Sequence, residues 1–158
     1  VIAVDPEAPA PPRARWFGLG DAARVRADWD SGRRLRGFVA RTDDLDGVLA
    51  AHGALLGAAA TMTRGDLSWR FAVPPGGAWP ADGAAPCAMA WGPRGNPAAT
   101  MPDLGAGLEA LVLTDPDPDA VAGLHAALGL VAPPQVVAGR GPRWTARIST
   151  PSGPRNLT

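Results

Sequence analysis

The sequence predicts an α+β fold in which repeated βαβββ modules form a curved mixed sheet with helices on its convex face. The first observation behind this prediction is an internal repeat, in which the stretch from Phe38 to His52 matches the stretch from Leu111 to His125 at a constant offset of 73 residues. The second is that each copy begins with a short apolar run and continues into an Asp-rich helix start. The third is strand-like alternation after each helix, which is typical of helices packed on a sheet.

Each copy of the repeat supplies one opening strand and one helix. The apolar runs predict strands over Leu35–Arg41 and Leu108–Thr114. The short carboxylates that follow can accept hydrogen bonds from free first-turn N–H groups, so we expect helices over roughly 44–56 and 117–129. The apolar residues of both segments recur at the helical period and predict one buried side.

Further strands follow each helix and set the module boundaries. Val1–Val4 has the pattern of the last strand of a preceding module, so we expect that an N-terminal module is missing. Within a single domain the chain then divides into 1–34, which holds that strand and a linker, 35–92, which is a full module, and 93–158, which is an incomplete one. The predicted strands are Ala59–Arg64, Leu67–Val73 and Cys87–Trp91 in the first copy, and Pro134–Ala138 and Trp144–Thr150 in the second.

Composition and charge exclude several classes of function. The 158 residues carry 15 Lys+Arg against 15 Asp+Glu, so the chain lacks the basic excess that non-specific binding of nucleic acid or anionic lipid requires. All the basic residues are Arg, which excludes chemistry that depends on a lysine. With no long apolar run and no signal peptide, we expect a cytoplasmic protein without a membrane partner. The composition, rich in Ala, Gly, Pro and Arg, indicates a GC-rich bacterial gene.

Five stretches spread along the chain, together with the repeated βαβββ unit, carry a resemblance to a known family. They are Val1-Ile2-Ala3-Val4-Asp5-Pro6-Glu7-Ala8-Pro9, Arg15-Trp16-Phe17-Gly18-Leu19, Leu67-Ser68-Trp69-Arg70-Phe71, Met89-Ala90-Trp91 and Thr150-Pro151-Ser152-Gly153. The chain resembles the glyoxalase-like branch of the vicinal oxygen chelate superfamily, which includes glyoxalases, extradiol dioxygenases and bleomycin-resistance proteins. The resemblance implies a divalent ion in catalytic members, held by His on the first strand of a module and Glu on its last.

The strands that would hold such an ion lack its ligands in this sequence. The opening strands of both copies contain no His, and the strand Cys87–Trp91 contains no carboxylate. Glu109 and Cys87 alone do not make a site for a hard divalent ion, which needs several oxygen or imidazole ligands. We therefore predict no metal and no other cofactor in the residues present, and a divalent metal only with ligands from the missing module. His52 and His125 are interpreted as partly buried imidazoles packed against the sheet, and Cys87 as a small buried hydrophobic residue.

Arg70 is the candidate anion-binding residue. It alternates with Trp69 and Phe71 along one predicted strand, so it faces the cleft if those aromatic side chains pack under the helices. The planar guanidinium suits a carboxylate or a phosphate. The alternative is an internal salt bridge to Asp66 or Glu109, and the sequence leaves both interpretations open.

The other ligand-binding candidates are Trp16, Arg15 and Trp91. Trp16 follows Arg15 and a stiff Pro-Pro pair, which suits a lid that stacks on a flat ligand. An arm packed on the domain or on a partner subunit is the alternative, and Trp91 either lines the cleft or fills the core. The remaining charges of residues 13–36 predict a loop and a short helix with a solvated face.

Three functions fit these observations. The first is a glyoxalase-like domain that binds a small anionic or partly aromatic molecule, with no metal site in the residues present. The second is a metal-dependent lyase or dioxygenase with its ligands in the absent N-terminal module, and the third is a ligand-sequestering protein like the bleomycin-resistance members. Enzymatic activity rests on resemblance alone, so no catalytic residue is assigned. Because unpaired sheet edges are normally covered, we also expect a homodimer.

Overall fold

A computed structural model describes residues 7, 9 and 11–158 of the chain. The predicted strand Val1–Val4 lies outside these residues. The α+β class is confirmed, because the described residues form three helices and two four-stranded mixed sheets. The elements are α1 (Ala22–Asp30), β1 (Val39–Arg41), α2 (Leu45–Leu56), β2 (Ala58–Arg64), β3 (Leu67–Val73), β4 (Cys87–Trp91), β5 (Gly107–Asp115), α3 (Pro118–Ala127), β6 (Gln135–Ala138), β7 (Arg143–Ser149) and β8 (Arg155–Leu157).

Aspartate caps start both helices of the repeat, as the sequence predicts. The Asp44 carboxylate accepts a hydrogen bond from the backbone N–H of Gly47 at 2.8 Å, and Asp117 accepts one from Ala120 at 3.0 Å. Each bond satisfies a first-turn donor that has no partner within its helix. At the other end, α2 stops where Gly57 adopts a φ of 84°, a backbone conformation that favours glycine.

Helix α2 covers one face of the first sheet, whose strand order is β1-β4-β3-β2. Leu45 and Leu56 of the helix pack against Ala72 and Ala88 of the sheet, and all four are buried. Small side chains on this face let the helix approach the strands closely. Because side chains alternate along a strand, the large residues beside them, such as Phe71, point to the opposite face. The condition under which Arg70 would face the cleft, that the aromatic side chains pack under the helix, is therefore not met.

The second sheet departs from the repeat in its strand order. Its order is β6-β5-β7-β8, so the opening strand β5 pairs in parallel with β6 and antiparallel with β7. In the first sheet, the neighbour of the opening strand is the last strand of the module instead. Both units therefore have one strand, one helix and three further strands in chain order, but their sheets differ in strand order, because β7 pairs with β5 along most of its length.

One strand was missed by the sequence analysis, and another is markedly shorter than predicted. The short strand β8 was missed, since three residues are too few to show an alternating pattern. Strand β1 is shorter than predicted, because the residues before Val39 leave the sheet. Leu35 and Phe38 pack instead against Leu113 and Trp144 in the core of the second unit. This crossing segment joins the two units of the fold.

Candidate functional site

Arg70 lies on the face of the first sheet that α2 covers. Its guanidinium forms a two-bond ion pair with the Asp46 carboxylate of α2, with N···O distances of 2.8 and 2.6 Å. The hydrogen bonds from Arg70 hold the pKa of Asp46 below its ordinary value. The internal salt bridge that the sequence left open is thus present, but with Asp46. Asp66 and Glu109, the partners considered from the sequence, pair with other arginines.

Trp16 packs on the opposite, aromatic face of the same sheet. Its ring stacks on Phe71 with the ring centroids 5.8 Å apart and an angle of 14° between the planes. Phe17 meets Phe71 edge-on and lies 4.7 Å from the centroid of Trp79. One side of the Trp16 ring is therefore occupied by the protein itself. The N-terminal segment forms an arm packed on the domain, which is one of the two alternatives that the sequence left open.

The four predicted ligand-binding residues do not come together at one place. Trp91 is half-buried on the aromatic face, where it meets Trp69 edge-on at 5.8 Å. Arg15 is half-buried at the start of the arm that carries Trp16. Arg70 lies on the other side of the sheet, against α2. A ligand-binding role for Trp16, Arg15 and Trp91 stays a prediction.

A cavity of about 470 Å³ lies between α1, the segment that follows it, the loop before β4 and the end of β8. Its volume is within the range of small-molecule sites. The sequence predicted a solvated face for most of these charges, but the side chains of Arg36 and Asp28 are each only 17% exposed. We call this site the arginine cavity. Its charged lining residues are Arg24, Arg33, Arg34, Arg36, Asp28 and Asp82.

Helix α1 supplies one wall of the arginine cavity. The Asp21 carboxylate starts the helix by accepting a hydrogen bond from the backbone N–H of Arg24 at 2.9 Å. Arg24, Val25, Asp28 and Trp29 all line the cavity, and they form two adjacent pairs that lie four residues apart along the helix. This spacing places them on one side of α1. The wall therefore combines charged groups with flat apolar surface.

Two aspartates hold three of the cavity arginines in ion pairs. The Oδ1 atom of Asp82 lies 2.5 Å from Nη2 of Arg24 and 3.6 Å from Nη2 of Arg36. Asp28 binds Arg36 through one oxygen and lies 3.6 Å from Arg33 through the other. Burial lowers the pKa of Arg36, and the charge of Asp28 opposes this shift. Four guanidinium groups against two carboxylates leave the lining with a net positive charge.

Arg34 is the cavity arginine without a carboxylate partner in the part of the chain that the structure describes. Its guanidinium carbon lies 4.6 Å from the centroid of the Trp29 ring, a cation–π contact. The Trp29 side chain is 55% exposed, so this pair is open to an incoming ligand. The backbone N–H of Arg34 donates to a backbone oxygen of Thr158 at 2.9 Å. That bond holds the backbone in place while leaving the side chain accessible.

The second unit holds the loop that carries Asp82. Asp82 has a φ of 50°, which residues with a side chain rarely adopt and which surrounding contacts must stabilise. Directly after it, the Gly83 carbonyl accepts a hydrogen bond from the indole N–H of Trp144 at 3.2 Å. The Ala84 carbonyl accepts one from Nε2 of His125 at 2.7 Å. These two buried side chains position Asp82 beside the arginines. Of the two, the repeat in the sequence singled out His125 alone.

The described residues do not fit the divalent ion that the resemblance implies. No group of three or more His, Cys, Asp or Glu side chains in residues 7, 9 and 11–158 is placed to hold a metal. Burial raises the pKa of the Cys87 thiol to about 12, so it keeps its proton at neutral pH. Glu109 is paired with Arg147 at 2.8 Å. We therefore derive no chemical step through a metal from these residues.

Comparison with known proteins gives a family match. A family model described as a glyoxalase-like domain matches residues 1–129 of the chain. Searches of curated proteins and of solved structures gave no significant match. None of the helices in the described residues has the length and apolar content that crossing a bilayer requires.

Proposed function

Since the chain belongs to the glyoxalase-like domain family of the vicinal oxygen chelate superfamily, we propose that it binds a small molecule that joins an anionic group to a flat apolar body. The arginine cavity is the proposed site. One observation carries the proposal. Arg34, an arginine without a carboxylate partner among the described residues, lies on the exposed ring of Trp29 in the wall of the cavity.

The apolar part of the lining supports a ligand with a flat body. Trp29 and Trp79 present ring surface to the cavity, and Val25, Leu35 and Leu157 add aliphatic surface. Aromatic walls favour stacked or edge-on contacts with a planar ligand. Burying such a body contributes about 25 cal/mol for each Å² of apolar surface removed from water.

The charged part of the lining supports an anionic group. A hydrogen bond from a guanidinium to a carboxylate or phosphate contributes about 1.5–3 kcal/mol, more than a bond between neutral groups. Arg34 is suited to this role because a ligand oxygen would not compete with an internal carboxylate for it. The partial burial of Arg36 shows that this end of the cavity is shielded from water, which strengthens attraction between opposite charges.

The groups in the cavity favour binding over a reaction. Its ionisable lining groups are arginines and two aspartates, and both aspartates are held in ion pairs. A paired carboxylate is a poor general base, because it must leave its arginine to take a proton. A ligand-sequestering role fits this arrangement. The metal-dependent lyase or dioxygenase is supported by family membership alone, and the homodimer stays a prediction.

The test is isothermal titration calorimetry with two small aromatic anions, phenyl phosphate and benzenesulfonate, and with neutral benzyl alcohol. We expect at least one anion to bind the wild type more tightly than benzyl alcohol. Arg34→Gln should weaken that binding by about 10- to 100-fold, since it removes a charge-assisted contact.

Arg26→Gln is the matched control for this experiment. Arg26 lies on the same helix, is 78% exposed and pairs with Asp30 at 3.2 Å outside the cavity lining. Its substitution should leave binding unchanged. If neither anion binds, or if Arg34→Gln binds as tightly as Arg26→Gln, the arginine cavity is not the site.

A further inference from the structure

The ion pairs of the arginine cavity indicate how much negative charge its ligand carries. We propose that the ligand is a phosphate monoester, whose head group carries two negative charges near neutral pH. This inference rests on the proposed function, since it specifies the anion that the same cavity binds.

The first argument is the convergence of guanidinium groups on a single oxygen. Oδ1 of Asp82 lies within 2.5 Å of Nη2 of Arg24 and 3.6 Å of Nη2 of Arg36. These two arginines come from different segments, α1 and the residues before β1, so the fold brings them to one point. Asp82 is 56% exposed there. An anionic ligand oxygen that displaces this carboxylate oxygen meets two guanidinium groups at once.

The second argument is the balance of charge. Arg24, Arg33, Arg34 and Arg36 face the cavity from two segments, and the carboxylates that line it are Asp28 and Asp82. Counted over its side chains, the lining therefore holds two positive charges in excess. A ligand with one negative charge leaves one of them uncompensated in a partly buried site, whereas a dianion neutralises both.

The third argument is the geometry of the two charge types. A guanidinium is planar and binds two oxygens of one group side by side. A phosphate monoester has three terminal oxygens, so it accepts such pairs of bonds from arginines that approach from more than one direction. The arginines of the cavity approach from α1 and from the segment after it, while Trp29 lies beside Arg34 for the apolar ester group.

The test compares phenyl phosphate with benzenesulfonate by calorimetry on the full chain at pH 8 and pH 5. The two ligands share a tetrahedral head and a phenyl ring. The second pKa of a phosphate ester is about 6, so phenyl phosphate is a dianion at pH 8 and a monoanion at pH 5. Benzenesulfonate is a monoanion at both values and reports any change in the protein itself.

We expect phenyl phosphate to bind at least about tenfold more tightly than benzenesulfonate at pH 8, and to lose that advantage at pH 5. Asp82→Asn should tighten phenyl phosphate binding several-fold, because it removes the carboxylate that competes for Arg24 and Arg36. Asparagine tolerates the positive φ of this position, so the variant is expected to fold.

Each result separates this inference from the proposed function. Equal affinities for the two anions at pH 8, with loss of both in Arg34→Gln, would overturn the dianion and leave anion binding intact. An Asp82→Asn variant that binds phenyl phosphate more weakly than the wild type would overturn it as well. Failure of both anions to bind the wild type would refute the proposed function itself.

Discussion

Replacing His125 with alanine tests how the second unit supports the loop of the arginine cavity. The His125 side chain is 1% exposed, and its ring meets Phe38 edge-on with centroids 5.8 Å apart. Nε2 lies 2.7 Å from the Ala84 carbonyl, which only accepts, so Nε2 carries the proton and donates. Nδ1 is buried without a hydrogen-bond partner in the described residues. The ring thus makes one strong hydrogen bond and fills space between the two units.

The cost of His125→Ala follows from two losses. Truncating a buried ring leaves a cavity, and ring-to-alanine changes in protein cores cost about 3–5 kcal/mol. Within that figure, the Ala84 carbonyl loses a partner, and a buried acceptor left unsatisfied costs about 1–3 kcal/mol. We therefore expect the free energy of unfolding to fall by about 3–5 kcal/mol, a large part of the 5–15 kcal/mol typical of a domain.

The repeat provides a matched control, because His52 occupies the equivalent position on α2. His52 is only half-buried, so His52→Ala should cost less than about 1 kcal/mol. His125→Phe keeps a ring of similar size without the donor and should cost about 1–3 kcal/mol. Urea unfolding followed by tryptophan fluorescence measures all three variants. If His125→Ala costs no more than His52→Ala, the buried hydrogen bond does not support the loop as we infer.

Two further predictions concern the first unit. Arg70→Gln should return the pKa of Asp46 towards its ordinary value, as measured by a carboxyl NMR titration, because the guanidinium that stabilises the carboxylate is lost. The stabilisation from this ion pair is present at neutral pH and is lost as the pH falls through the lowered pKa of Asp46, so acid unfolding of the variant should lack that contribution. Gly57→Ala should lower the free energy of unfolding by about 1–3 kcal/mol, because its φ is 84° and a Cβ would meet the Val73 carbonyl. Gly53 lies within α2 with open space around it, so Gly53→Ala should raise the free energy of unfolding by about 0.5–1 kcal/mol. If urea unfolding gives the same change in stability for Gly53→Ala and Gly57→Ala, this account is contradicted.

The elements that the sequence predicted well are those specified by local chemistry. Both helices of the repeat begin at the predicted aspartates, because a short carboxylate next to free N–H groups stabilises a helix start wherever the chain lies. Strands Leu67–Val73 and Cys87–Trp91 have the predicted bounds, since their pattern of large and small side chains is itself local. The burial of Cys87 followed from the same pattern.

Tertiary structure decided which face of each strand is covered and where the site lies. Alternation along β3 does not tell which of its two faces the helix covers. In the structure α2 covers the face with the alanines and not the face with the aromatic residues. Arg70 shares the covered face and therefore lies against Asp46. The sequence placed many of the arginines in residues 13–36, but the carboxylate that gathers Arg24 and Arg36 is Asp82, far along the chain. Its position depends on a loop held by the second unit. Local pattern specifies which segments fold into helices and strands, whereas convergence of charges from distant segments depends on how those elements pack.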